Sequence, residues 1–323
     1  MATTTVDLAT CRFWFLPNFA VHKITKKMNI VITGSLGRIS KPLVQELIEK
    51  GHAVTVISSK AERAGEIEAV GATPAVGAVE DTEFLAQTFM GADIVYLMEP
   101  PLNFTNPGID ILEAWVNIGR SFKKAVAQSG VRQIIHLSSI GGHTDTGNGM
   151  LAAHHHIENL LNELPESVAI KFMRPVGFYY NTFAFIPTIK ASGSIYQNYS
   201  GDIKEPWVSP LDIAATIAEE MELPFDGRTV RYIASEELTG KEVAKILGDA
   251  IGVPDIKWVE IPDAAFEENL IKAGLTAQAA KGFADMNAGR REGLYNDYNA
   301  NKPILGKVKL ADFAKDFAFV YHQ

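Results

Sequence analysis

Asn29-Ile30-Val31-Ile32-Thr33-Gly34-Ser35-Leu36-Gly37-Arg38-Ile39-Ser40 joins an unbroken apolar run to a glycine-bearing loop. A short run without polar alternation suits a strand buried on both faces, as in a parallel sheet. Just downstream, Leu43, Val44, Leu47 and Ile48 recur at helical spacing between Lys41 and Lys50, and Gly51 stands where a helix-ending glycine would. Ala53-Val54-Thr55-Val56-Ile57 then reads as a second strand, completing a βαβ unit of ordinary length. In such a unit Gly34 lets the chain turn sharply out of the strand. Gly37 lets backbone approach a diphosphate, whose charge meets the positive end of the next helix. The turn Gly34, Ser35, Leu36, Gly37, Arg38 and Ile39 is therefore the candidate cofactor-binding segment, with Ser40 where a small residue lets helix and strand touch. The spacing alone also fits an ordinary glycine turn; its place between a buried strand and a helix is what singles it out.

The end of the second strand separates the two nicotinamide dinucleotides. A carboxylate there would bond a ribose 2′-hydroxyl and repel a 2′-phosphate. This chain offers Ser58, Ser59 and Lys60, with Arg63 close behind and Arg38 in the loop. Hydroxyls and cations suit a phosphate dianion, so NADP(H) is favoured and NAD(H) remains possible. The alternative is that Lys60 and Arg63 are solvated charges at a helix start.

The alternation continues. Thr73 to Val76 reads as a strand, Glu83 to Met90 as a helix, and Asp93 to Met98 as a strand closed by Pro100-Pro101. A long helix from about Ile109 to Ser129 precedes a strand over Val131 to Leu137, then Ser138-Ser139 and a glycine-rich loop to Gly149. A helix from about Leu151 to Leu164 and a strand over Ala169 to Met173 follow. The pattern predicts an α/β fold, a Rossmann-type doubly wound parallel sheet, over residues 28–175. Past Arg174-Pro175, Phe178, Tyr179, Tyr180, Phe183 and Phe185 cluster. Helices are expected over Leu211 to Glu222 and Lys241 to Ile251, then Trp258 to Ile261 and a helical stretch from Asp263 to Gly289. Residues 176–323 read as a smaller C-terminal α/β lobe, partly interleaved with the first and closing over the cofactor.

The chain has 323 residues, enough for one large domain or a domain with a smaller lobe. Thirty basic and 38 acidic residues give a formal charge of −8, with no basic stripe, which argues against a nucleic-acid partner. Cys11 is the single cysteine, so no internal disulfide framework exists and a cytoplasmic setting fits. No run of 18 apolar residues suggests a membrane span. Residues 1–27 mix Cys11-Arg12-Phe13-Trp14-Phe15-Leu16-Pro17 with Lys23, Lys26 and Lys27, show no period, and read as a disordered extension; a transit peptide is the alternative.

Several segments together resemble one family. Met28 to Ser40, Gly71-Ala72, Ser138-Ser139, Arg174-Pro175-Val176-Gly177-Phe178, Trp207 to Ala214 and Leu238-Thr239-Gly240-Lys241-Glu242 are similar to the NmrA-like atypical short-chain dehydrogenase/reductases. The likeness runs from Met28 to about Phe319 and lies more in the order of motifs than in any one. It implies a Rossmann fold with a small C-terminal lobe and bound NAD(P). Some relatives reduce quinones, azo dyes or similar conjugated acceptors; others are redox sensors that bind regulators without turnover.

Two departures stand out. The family often has Gly-Asp-Leu after the third strand, with the Asp near adenine; here Gly77-Ala78-Val79 moves that contact to Glu80 or Asp81, or removes it. The wider superfamily uses Tyr-x-x-x-Lys, whose lysine lowers the tyrosine pKa for proton transfer. Met150 and His154 occupy those places, so the usual alcohol–ketone exchange is not expected. Hydride transfer to a conjugated acceptor that takes its proton from water remains open. Ser139 falls at the superfamily's catalytic serine and Tyr179 and Tyr180 where the family loop nears the nicotinamide, while Met98, Pro100, Pro101 and Phe104 suggest an apolar pocket wall. Ser139, Tyr179 and His154 are thus the candidate catalytic residues, against plainer roles as cap, packing and helix surface. Three consecutive histidines, His154, His155 and His156, point in different directions on a helix and cannot share one metal ion. The expected partner is a small-molecule acceptor, with the chain a monomer or homodimer. A non-catalytic NADP(H) sensor contacting a regulatory protein is the alternative, and a sugar-nucleotide epimerase or dehydratase, which needs the tyrosine, a weaker one.

Overall fold

The computed structural model describes residues 26–323. The expectations for Cys11 and for nearly all of residues 1–27 lie outside that range. The first half alternates strictly: β1 (Asn29–Ile32), α1 (Ser40–Glu49), β2 (Ala53–Ser58), α2 (Ala64–Ala69), β3 (Thr73–Val76), α3 (Thr82–Phe89), β4 (Ile94–Leu97), α4 (Ile111–Ser129), β5 (Gln133–Leu137), α5 (Ala152–Asn162) and β6 (Ala169–Pro175). The remainder comprises β7 (Gly177–Phe178), α6 (Ile186–Ser192), β8 (Ser194–Gln197), β9 (Lys204–Val208), α7 (Pro210–Glu222), β10 (Arg228–Ile233) and β11 (Glu236–Thr239). It ends with α8 (Gly240–Ile251), β12 (Lys257–Glu260), α9 (Asp263–Lys272), α10 (Ala277–Arg291), α11 (Asn296–Ala300) and α12 (Leu310–Tyr321).

Seven strands form one sheet in the order β10-β6-β5-β4-β1-β2-β3, every neighbouring pair parallel. Apolar runs such as Ile30-Val31-Ile32 make this possible, because successive residues bury on opposite faces. Ile30 and Ile32 join a core with Leu43, Leu47, Ile213 and Ile217, which places α1 and α7 on one face. Val31, Val95 and Leu97 join Phe122, Ile157 and Leu161 on the other, beneath α4 and α5. Pro74, which cannot donate to a ladder, sits in the edge strand β3. Winding runs from β1 outward to β3, then reverses through β4, β5 and β6. The crevice at the carboxyl ends of β1 and β4 is thus the topological switch point, where open α/β sheets bind ligands.

Beyond residue 175 the structure adds what the sequence pattern did not show. α7 packs beside α1 and β10 completes the main sheet. The smaller lobe has a core of its own around Trp207, Leu247, Phe317 and Tyr179, under the three-stranded sheet β11-β9-β7 and the pair β12-β8. The helical stretch expected from Asp263 to Gly289 is two helices, broken at Gly274, whose φ of +99° suits glycine. Among the described residues no helix is long and apolar enough to cross a membrane.

Candidate dinucleotide-binding cleft

The turn after β1 is held open by backbone strain and by one side chain. Gly34 has φ +88°, and a Cβ there would lie 2.0 Å from Met98 Cε. Ser35 has φ +55°, the sole positive value at a non-glycine among the described residues, a conformation that costs about 1–2 kcal/mol. Its amide donates to Ile57 O at 3.0 Å, which pulls the turn against β2. Gly37 is different: a Cβ would meet only Gly34 O, at 3.4 Å. No part of the protein forbids a side chain there, so the open space in front of Gly37 is available to a ligand. No side chain caps α1 and no acid stands in its first turn, which leaves the helix's positive end facing that space. Leu36 and Ile39 bury their side chains in the core and offer only backbone.

Four expected residues converge beside β2. Ser35 Oγ lies 3.2 Å from Ser58 Oγ, Arg63 Nη1 donates to Ser35 Oγ at 3.2 Å, and the Lys60 amide donates to Ser58 Oγ at 3.2 Å. Ser59 and the Lys60 side chain are exposed at the rim. Arg38 departs from the group. Its guanidinium lies over Tyr180 (5.0 Å to the ring centroid) and near Phe183 (5.7 Å), tying the turn to the smaller lobe instead of to Lys60. Of the two acids considered for adenine, Asp81 caps α3 by accepting from the Phe84 amide. Gly77 is required by packing, since a Cβ would sit 2.5 Å from the Phe84 ring.

On the other flank, Thr33 Oγ1 accepts from the Met98 amide at 2.7 Å and locks β1 to β4. Pro100 O accepts from Trp115 Nε1, and Phe104 stacks edge-on with Trp115 and Phe283, so the apolar wall after β4 is anchored by α4 and α10. The two adjacent serines diverge. Ser138 is buried, donating to Glu158 Oε1 at 2.5 Å within a pair that Glu158 makes with Arg174. Ser139 is half-buried and its hydroxyl meets no protein partner among the described residues.

Tyr179 is not in the cleft. It is fully buried in the smaller lobe, its hydroxyl donating to Glu236 at 2.7 Å and toward Val308 O. Burial first, then the Glu236 carboxylate, push its pKa far up, so its hydroxyl keeps its proton. Tyr180, half-buried against Arg38, is the tyrosine nearer the turn. Met150 packs on α10, where a Cβ on Gly282 would lie 2.3 Å from Met150 Cγ. His154 stacks on Trp115 at 6.4 Å, its Nδ1 buried without a partner.

Sequence reasoning missed two residues beside it. Glu99 Oε1 and His136 Nε2 lie 3.0 Å apart, with 5% and 0% of their side chains exposed. The available signal was a histidine inside the run Ile134-Ile135-His136-Leu137, polar where every neighbour is apolar. A separate cavity of about 350 Å³ lies between α5 and the β6–β10 edge, lined by His143, His155, Arg228 and the already paired Glu158 and Arg174. Among the described residues no group of three or more His, Cys, Asp or Glu could hold a metal ion.

A doubly wound sheet with a glycine turn at its switch point defines the dinucleotide-binding class of fold. The NmrA-like family model matches residues 26–303, and the chain belongs to that family. An NAD(P)H azoreductase from Xenophilus azovorans is 22% identical over 80% of this chain and 86% of its own length. An NADPH-dependent quinone oxidoreductase from Escherichia coli, solved with NADPH, superposes with a TM-score of 0.75 at 20% identity, covering 89% of this chain and 99% of that one. A nucleoside-diphosphate-sugar epimerase from Staphylococcus aureus scores 0.72 at 17% identity over 89% of this chain and all of that one. At these identities the structural likenesses establish the shared fold.

Proposed function

We propose that the chain is an NADPH-dependent reductase that delivers hydride to a small, flat, conjugated acceptor such as a quinone. The carrying observation is the cluster Ser35, Ser58 and Arg63 at the end of β2, where hydroxyls and a guanidinium meet and the nearest acid, Glu66, stands exposed 3.9 Å from Arg63. It adjoins an uncapped helix end across the open space at Gly37. The amides of the turn would hold the diphosphate, and Ser35, Ser58, Lys60 and Arg63 the 2′-phosphate. The dinucleotide supplies hydride when bound; the protein's share is orientation and exclusion of water.

The acceptor class follows from what stands near the nicotinamide end. Met150 and His154 replace the tyrosine and lysine, so a carbonyl that needs concerted protonation by a tyrosine is a poor substrate, and epimerase chemistry loses its base. Ser139, with a free hydroxyl, would bond an acceptor oxygen, and Met98, Pro100 and Phe104 would supply an apolar wall. The relatives' names, an azoreductase and a quinone oxidoreductase, agree with such acceptors.

The test is NADPH oxidation, followed by absorbance, against a panel of quinones and azo dyes. Steady turnover supports the reductase. Saturable NADPH binding with no turnover across the panel refutes it and favours the sensor.

A further inference from the structure

The neighbourhood of His154 holds more buried ionisable groups than packing requires. Glu99 follows Met98, the residue that packs on Gly34, and so lies at the cleft end of β4. His136 lies opposite Leu97 in the β4–β5 register, close to the carboxyl end of β5. Both side chains are on the α4–α5 face, His136 edge-on to Phe172 at 6.0 Å. His154 reaches the same place from the first turns of α5, at the superfamily's lysine position. Burying a carboxylate and an imidazole together costs several kcal/mol of desolvation, offset only by their mutual attraction and further hydrogen bonds. On the imidazoles those further bonds are missing: His136 Nδ1 and His154 Nδ1 are buried with no partner.

We propose that Glu99, His136 and His154 form a proton store for the reaction, two imidazoles and a carboxylate that protonate the product anion after hydride transfer. The inference rests on the reductase reading. A quinone that takes one hydride from the nicotinamide becomes a hydroquinone anion and still lacks one proton. An imidazole N–H bond of the store breaks, an O–H bond forms on the product, and the store regains its proton from solvent through the partly exposed His154 ring. No electron leaves the protein.

The charges around the store agree with that role. Burial opposes ionisation of Glu99, yet the His136 imidazole outweighs it and holds the carboxyl below the usual carboxylate range. Burial pulls His154 below the usual histidine range, with Glu99 acting against the fall. A low-pKa imidazole beside a carboxylate-backed one passes a proton readily. The other charged group facing them is Glu158 on α5, which Arg174 of β6 neutralises; Tyr96 on β4 packs on the opposite face of the sheet, and burial first, then the Glu99 charge, keeps its hydroxyl protonated. α4 contributes the uncharged Trp115.

Two acceptors separate proton supply from hydride transfer. Menadione needs both; malachite green, a carbocation, is complete after hydride alone. With saturating NADPH and the full chain, Glu99→Gln and His136→Gln are expected to slow menadione turnover by about tenfold or more while dye reduction stays within about twofold of wild type. A solvent deuterium isotope effect is expected on menadione turnover and not on dye reduction. Should these buried variants fail to fold, His154→Gln on the partly exposed face of α5 carries the test, with the same selective loss expected. Equal loss with both acceptors, or no loss with either, overturns the proton store but leaves the reductase standing. Wild-type turnover of the dye but not of menadione overturns the proton store alone; no wild-type turnover of any quinone or dye in the panel overturns both.

Discussion

Replacing Arg63 with Ala tests the proposed contact between its guanidinium and a 2′-phosphate. The guanidinium is fixed by its 3.2 Å bond to Ser35 Oγ. Its competing acid, Glu66, stands 3.9 Å away and is 64% exposed, so it competes weakly. A hydrogen bond to a charged partner is worth about 1.5–3 kcal/mol, and partial exposure of Arg63 puts it toward the lower half of that span. At about 1.4 kcal/mol per tenfold, NADPH affinity should fall about 10–30-fold. NADH, which carries a hydroxyl there, should change by less than about twofold. Lys60→Ala should cost less, about two- to fivefold, because its ammonium is exposed. Calorimetric titration at physiological ionic strength and again at higher salt reads both numbers, and the NADPH-to-NADH gap should narrow with salt. Equal weakening toward both dinucleotides would mean that Arg63 merely supports the turn, and the assignment would fail.

Other perturbations probe the frame of the site. Gly34→Ala forces a side chain to φ +88° and toward Met98 Cε, so it should destabilise by at least about 1–2 kcal/mol and weaken NADPH binding; an unchanged denaturant midpoint would contradict the stated steric need. Glu158→Leu leaves the buried Arg174 with the Tyr232 hydroxyl at 3.3 Å and a single carboxylate, Asp297, at 3.4 Å, a loss of about 3 kcal/mol, and adding Arg174→Met should restore most of it in chemical denaturation. Glu220 gives an acid limb to stability: burial resists its charge, but hydrogen bonds from Lys171 and Arg231 prevail and hold its pKa below the usual 4.5. A carboxylate so depressed contributes fully above the ordinary value and loses its contribution as pH falls through the lower folded one. Unfolding free energy measured from pH 6 to pH 3 should therefore fall less steeply in Glu220→Gln than in wild type. Equal slopes would remove Glu220 from the account.

The part of the chain that sequence alone made legible is the part whose chemistry is local. Ile30-Val31-Ile32 and Ile94-Val95-Tyr96-Leu97 are buried throughout, so composition suffices to read them as inner strands of a parallel sheet. β10 escaped because Arg228-Thr229-Val230-Arg231-Tyr232-Ile233 is an edge strand, with Val230 47% exposed and its arginines bonded to other elements. Its membership in the sheet depends on β6, far away in the chain. The same limit applies to the tyrosines. Tyr179 and Tyr180 are neighbours with identical side chains, and only the packing of Phe313 and Glu236 sends the first inward. Arg38 was grouped with Lys60 by sign of charge, whereas the ring of Tyr180, in another segment, decides where it goes. Glu99 and His136 acquire meaning only from the pairing of β4 with β5.

Titration of the folded chain with NADPH, beside Gly37→Asp, tests the assignment of the glycine turn most directly. Wild type should bind one equivalent per chain, more tightly than NADH. The carboxylate of the variant, set where the structure leaves open space, should abolish that binding with little change in the unfolding midpoint. Saturable binding that survives Gly37→Asp undiminished, or no binding of either dinucleotide by wild type, would contradict it.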